Sequence, residues 1–152
     1  VHPFGNTMCV IRVTGQQVLD ALEWGARAVP SENGGFLQVS GLTYEIHTGV
    51  ASSAEKDENG MFTCVSGEYR VKNVMVGGQP LELDKTYTLA SHNYMLLGHG
   101  DGYTMFDGCE VLGEDMMVDN QVLITYITTT LGGVVGEQYA NPYGDGRIVA
   151  VE

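Results

Sequence analysis

The 152-residue chain carries 7 Lys+Arg against 19 Asp+Glu, a formal net charge of −12. Gripping a phosphate backbone or an anionic membrane needs clustered cations, and Arg12, Arg27, Lys56, Arg70, Lys72, Lys85 and Arg147 are scattered along the sequence, which argues against nucleic-acid polymers and charged lipid surfaces as partners. Length and a hydrophobic content of 43% suit one folded domain, and no apolar run approaches the roughly 18 residues of a membrane span.

Roughly alternating β-branched residues from Thr7 to Val13 predict a strand with Cys9, Ile11 and Val13 on one face. Thr14 and Gln17 have capping-box spacing ahead of Val18, Leu19, Leu22 and Ala26, so a helix is expected from Gly15 to Ala28, ended by Pro30. After the turn cluster at residues 31–35, short strands are expected at Phe36 to Val39 and Leu42 to Ile46. Gly49 to Gly60 reads as a mobile surface loop. Strands are expected again at Met61 to Val65 and at Tyr69 to Val76, with Val71, Asn73 and Met75 on one face. Gly77-Gly78 then signals a two-residue hairpin whose returning strand is Leu81 to Leu83. A strand from Thr86 to Ser91 leads into Asn93 to Leu97 and the glycine-rich residues 98–102. Asp119 is placed to cap a helix over Val122, Leu123, Tyr126, Ile127 and Leu131, with Gly132 just past its end, and a last strand runs from Arg147 to Val151.

Glycine contributes 21 residues, so many tight turns or close backbone approaches are expected. Three cysteines, Cys9, Cys64 and Cys109, have no C-x-x-C spacing and read as buried, inert thiols. His92, His99 and Asp101 are zinc-compatible ligand types, but their spacing matches no established metal motif. Residues 131–136 and 98–102 resemble phosphate-binding glycine loops only in part. The first has Leu131 where the dinucleotide fingerprint needs glycine, and the second lacks a P-loop lysine. No G-x-S-x-G nucleophile elbow occurs. What remains is a set of aromatic and small polar residues on turns: Pro3-Phe4-Gly5-Asn6, Asn33 to Phe36, and Asn93-Tyr94 with residues 98–103. Such pairs offer a flat heterocycle a face to stack on and a group to read its edge, although an aromatic beside glycine more often fills a gap under a turn.

Taken together, Pro3-Phe4-Gly5-Asn6, Gly35-Phe36-Leu37-Gln38-Val39-Ser40-Gly41, Tyr87-Thr88-Leu89-Ala90-Ser91 and Gly100-Asp101-Gly102-Tyr103 stand in the order and approximate spacing of the C-terminal domain of the 5′-nucleotidase family. The chain resembles that domain over essentially its whole length. The resemblance implies an α+β fold, one domain over residues 1–152 truncated on its N-terminal side, and a place outside the cell or in the periplasm. It also implies a separate N-terminal metallophosphoesterase domain holding two divalent metal ions, with no cofactor in this chain and nucleosides or nucleotides as ligands. Carried over by position, Phe4 and Tyr94 would stack the base, Asn6 would hydrogen-bond it, the Gly34 backbone would pass close to it, and Asp101 would accept hydrogen bonds from the ribose hydroxyls.

Where the family usually has Gly-Gly-Asp-Gly, this chain reads Gly98-His99-Gly100-Asp101-Gly102, which puts an imidazole beside the expected ribose ligand, and Tyr94 stands where phenylalanine is commoner. The family's arginine-bearing Asn-Gly-Gly-Gly-Ile-Arg element and its metal-binding signatures do not occur between Val1 and Glu152. The chain alone is therefore expected not to hydrolyse phosphate esters. The rival expectation is a surface module that keeps the fold and has lost nucleotide recognition. The two differ in whether Phe4 and Tyr94 face each other across a gap of about 7 Å or one of them is buried in the core.

Overall fold

The first expected strand forms as β1 (Met8–Thr14), and its inward residues Cys9, Ile11 and Val13 are at most 2% exposed. This is seen in a computed structural model that describes residues 2–142 and 144–152; Val1 and Tyr143 lie outside the described residues. Thr14 then turns the chain into α1 (Gly15–Ala26). Its hydroxyl accepts from Gln17 N (3.2 Å), and Gln17 Oε1 accepts from Thr14 N (2.9 Å), so the predicted capping box is complete. The helix stops at Ala26, short of the expected Ala28, and Arg27 caps it.

Val18, Ala21, Leu22, Trp24 and Ala26 of α1 all join the core, and Gly15, Glu23 and Gly25 are buried too. A helix buried around most of its circumference has to be enclosed on several sides. On one side lies an antiparallel sheet in the order β7 (Thr86–His92), β1, β8 (Glu110–Gly113). The second sheet runs β6 (Gln79–Pro80), β5 (Val71–Val76), β2 (Leu42–His47), β9 (Ile148–Val151), with β2 and β9 parallel. A hairpin of β3 (Ala54–Lys56) and β4 (Phe62–Val65) adds Phe62, whose ring meets Trp24 edge-on at 5.7 Å. The short helix α2 (Asn93–Leu96) supplies Met95 and Leu96 to the same core. The α+β expectation holds.

Several expected elements take a different form. Residues 36–39 pair with no strand; Phe36, Leu37 and Val39 lie against the core from a loop, and Arg147 Nη1 holds the Val39 carbonyl at 2.6 Å. The stretch expected to be mobile contains β3 and an ordered turn in which Asp57 Oδ1 accepts from Asn59 N and Met61 N (2.9 and 2.8 Å). Such local side-chain bonds order a loop whatever its polarity. The Gly77-Gly78 turn pairs Val76 directly with Gln79, so the returning strand is Gln79–Pro80 and not Leu81 to Leu83. In β5 a bulge at left-handed Asn73 breaks simple alternation, which turns both Val71 and Val74 inward. The sequence did not mark β8. The expected C-terminal helix forms as α3 (Asp119–Thr125), but Val118 occupies the N-cap, and the threonine-rich stretch continues as a π-turn over Tyr126–Thr130. There Thr128 Oγ1 donates to Ile124 O (2.8 Å), the back-bonding that loosens a helix.

Glu23 is a fully buried carboxyl. Its Oε2 accepts from Val71 N (2.8 Å), tying α1 to β5, while the buried Arg70 donates through Nη1 to Ala26 O (3.2 Å) and Val29 O (2.8 Å). Burial pushes the Glu23 carboxyl above its ordinary value of 4.5, against the opposing pull of the Val71 and Arg70 N–H groups and the Arg70 charge. Because the folded-state value exceeds the unfolded one, the group's contribution to stability is complete below pH 4.5 and is lost as pH rises through the raised value. Glu23→Gln keeps an acceptor for Val71 N, so its urea midpoint should gain on the parent's as pH climbs from 4.5; a constant difference over that range contradicts the assignment. Thr14→Ala should cost about 1 kcal/mol of unfolding free energy in the same assay through loss of the cap.

Candidate functional site

The N-terminal turn is tied to α2 through backbone pairing. Beyond the last β1–β7 pair, Met8 with His92, Thr7 N donates to Asn93 Oδ1 (3.1 Å) and Asn93 N donates to Thr7 O (2.8 Å). Asn93 Oδ1 also accepts from Tyr94 N (2.9 Å), so this one side chain joins the turn bearing Phe4 to the helix bearing Tyr94. On the other flank Asp119 N donates to Asn6 O (2.8 Å). Phe4 is 84% exposed and Tyr94 49% exposed, so both rings lie outside the core.

From Tyr94 the contacts continue into the glycine-rich loop. A Cβ built on Gly100 would stand 2.2 Å from Tyr94 Cε1, which leaves room for glycine alone beneath the ring. His99 and Asp101, on either side, are both left-handed, with φ of 55° and 53°, a conformation that costs an L-residue about 1–2 kcal/mol. Glycine at either position would adopt it freely. The His99 imidazole is paired with the Asp107 carboxylate.

The loop is anchored from below by α1. Trp24 Nε1 donates to Asp101 O (2.9 Å), and Gly102 lies so close that a Cβ there would be 2.8 Å from the Trp24 ring. The Asp101 Cβ lies against Gly35, where a built Cβ would approach it to 2.9 Å. The Tyr103 hydroxyl donates to Gly35 O, and Asn33 bridges Gly35 N and Gly25 O at 3.2 Å each. Gly34, between these anchors, has open space over its Cα. A continuous run of contacts thus joins the turn of Phe4 and Asn6 to Tyr94, the Gly100–Asp101 loop and the Gly34–Gly35 turn.

Trp24 and Arg27 were not singled out from the sequence. Asn93 stood in the candidate set beside Tyr94 without a role of its own, whereas Trp24 and Arg27 read as the end of an amphipathic helix. Arg27 stacks on the Trp24 ring, its guanidinium carbon 3.7 Å from the centroid, and donates through Nη1 to Trp24 O (2.7 Å). Burial draws this guanidinium below its ordinary value, opposed by the nearby Tyr103 and Asp101.

The other candidate chemistries do not assemble. His92 Nδ1 accepts from Met95 N (3.3 Å) as the α2 cap, and His99 is held by Asp107, so they do not converge with Asp101 on one point. Among the described residues, no group of three or more His, Cys, Asp or Glu is placed to hold a metal ion. Burial pushes the Cys9 and Cys109 thiols up, as inert thiols require, but Cys64 is not buried as expected and lies exposed on β4. No helix among the described residues is long and apolar enough to cross a membrane.

Residues 1–108 match the family model described as 5′-nucleotidase, C-terminal domain. The chain belongs to that family. It is 30% identical over 151 residues to the trifunctional nucleotide phosphoesterase protein YfkN of Bacillus subtilis, covering 99% of this chain and 9% of that protein. It is also 30% identical over 128 residues to the cell wall protein Lmo0130 of Listeria monocytogenes, covering 84% of this chain and 14% of that one. Among solved structures it resembles a 5′-nucleotidase precursor from Thermus thermophilus, with a TM-score of 0.75 and 28% identity over 98% of this chain and 26% of the other. The chain therefore spans only a small part of the length of these relatives.

The approach of Tyr94 to Gly100 yields a direct test. Gly100→Ala should lose about 1–3 kcal/mol of stability, the usual cost of forcing an extra methyl into occupied space. An unchanged thermal midpoint contradicts the contact.

Proposed function

We propose that the chain is the nucleoside-recognition domain of a 5′-nucleotidase-like phosphoester hydrolase. The base inserts between Phe4 and Tyr94, with Asn6 bonding its edge and the Gly34 backbone alongside, and Asp101 accepts hydrogen bonds from the ribose hydroxyls. The observation that carries this reading is that these residues, distant in sequence, lie along one run of contacts with both rings outside the core. Exposed aromatic faces beside glycine are what a stacked heterocycle needs, and stacking tolerates different bases because every base has a π face. The Asp101 carboxylate carries no hydrogen bond or ion pair among the described residues, so its oxygens are free to accept from a diol.

Hydrolysis belongs to a separate domain of the same polypeptide. The two divalent metal ions that this reading requires do not fit the described residues of this chain, which bring no three suitable ligands together. The length of the relatives supports such a further domain, and the name of the Listeria relative supports a place at the cell surface.

Calorimetric titration of the protein with adenosine and with uridine tests the site. Both nucleosides should bind, and Phe4→Ala and Tyr94→Ala should each weaken binding by about 1–3 kcal/mol, the usual worth of one stacking face. Affinities unchanged in both variants would overturn the assignment.

A further inference from the structure

Resting on the ribose contact just proposed, a second set of residues behind it acquires a role. The Asp101 backbone is left-handed and relaxes toward a commoner conformation unless something holds it. What holds it is Trp24, buried in α1, whose N–H is spent on the Asp101 carbonyl at 2.9 Å. A buried indole needs such a partner, so neither group is free to drift.

Arg27 covers the same indole. Arg12, Lys72, Lys85 and Arg147 each lie within 3.0 Å of a carboxylate oxygen. Arg27 forms no ion pair among the described residues and is held by the Trp24 ring and carbonyl, 3.7 Å above the ring centroid. It is nonetheless in electrostatic reach of Asp101. A cation fixed on an aromatic face offsets a nearby carboxylate without occupying its oxygens, which a direct bidentate pair would do.

We propose that Trp24 and Arg27 are positioning residues for ribose recognition: the indole N–H fixes the Asp101 backbone, and the guanidinium stacked on the same ring balances the Asp101 charge while leaving its oxygens open to the vicinal hydroxyls of a ribonucleoside. Neither residue touches the ligand, and their effect is confined to its sugar.

Titrating the protein with adenosine and with 2′,3′-dideoxyadenosine separates this role from a merely structural one. The parent should prefer adenosine, and Asp101→Ala should abolish the preference. Trp24→Phe, which removes the N–H and keeps a ring, and Arg27→Gln should each weaken adenosine by about three- to tenfold, the loss expected for one hydrogen bond or partner charge, and leave dideoxyadenosine within about twofold. Arg27→Lys, which retains the charge, should recover part of the preference. Equal weakening of both ligands would reduce the pair to fold maintenance and overturn the inference. A preference that depends on Asp101 but is untouched by Trp24→Phe and Arg27→Gln would overturn the inference alone. No adenosine binding, or binding indifferent to Asp101→Ala, would remove the ribose contact and this inference with it.

Discussion

The constraint on which the structure depends is the enclosure of α1. A helix that buries Val18, Ala21, Leu22, Glu23, Trp24 and Ala26 cannot rest on a single sheet and keep one face in water. The chain meets this by laying the inner face of β1, the centre of the first sheet, against the helix, bringing β5 to Glu23 through the Val71 N–H, and folding the β3–β4 hairpin so that Phe62 closes on Trp24. Each enclosing element is thereby registered against the same helix. At its C-terminal end the turn of Asn33 and Gly35 and the loop of Asp101 converge on Trp24 and Gly25.

That convergence explains why an exposed loop holds an uncommon conformation. Two left-handed side-chain residues flanking Gly100 would not persist on local preference. Here Trp24 takes the Asp101 carbonyl, Gly102 lets the indole approach, and Tyr94 covers Gly100. The core thus extends upward into the loop, and a carboxylate in solvent inherits the rigidity of a buried helix. Asn93 does the same for the Phe4 turn by accepting from two backbone N–H groups at once.

Local chemistry was the legible part. The β1 alternation, the Thr14–Gln17 capping box, the Gly77-Gly78 turn and the existence of α3 all depend on interactions within a few residues, and they stand as expected. Where distant partners decide, the reading failed. Phe36 to Val39 has strand composition but no strand beside it, and β8 pairs with β1 across a bulge that periodicity does not register. The Asn73 bulge displaces the inward face of β5 because one extra residue reverses every side chain beyond it.

Of the candidate site, the sequence by itself determined the residue types and their order: aromatics and short polar groups beside glycine, a net charge of −12 with scattered cations, and the motifs that carry the family resemblance. Those are properties of composition and local spacing. Only the tertiary structure decided that Tyr94 lies over Gly100, that His99 turns to Asp107, and that Trp24 and Arg27 stand behind Asp101. Trp24 and Asp101 are 77 residues apart. Their meeting depends on how the sheets wrap α1, a long-range outcome that no local pattern encodes.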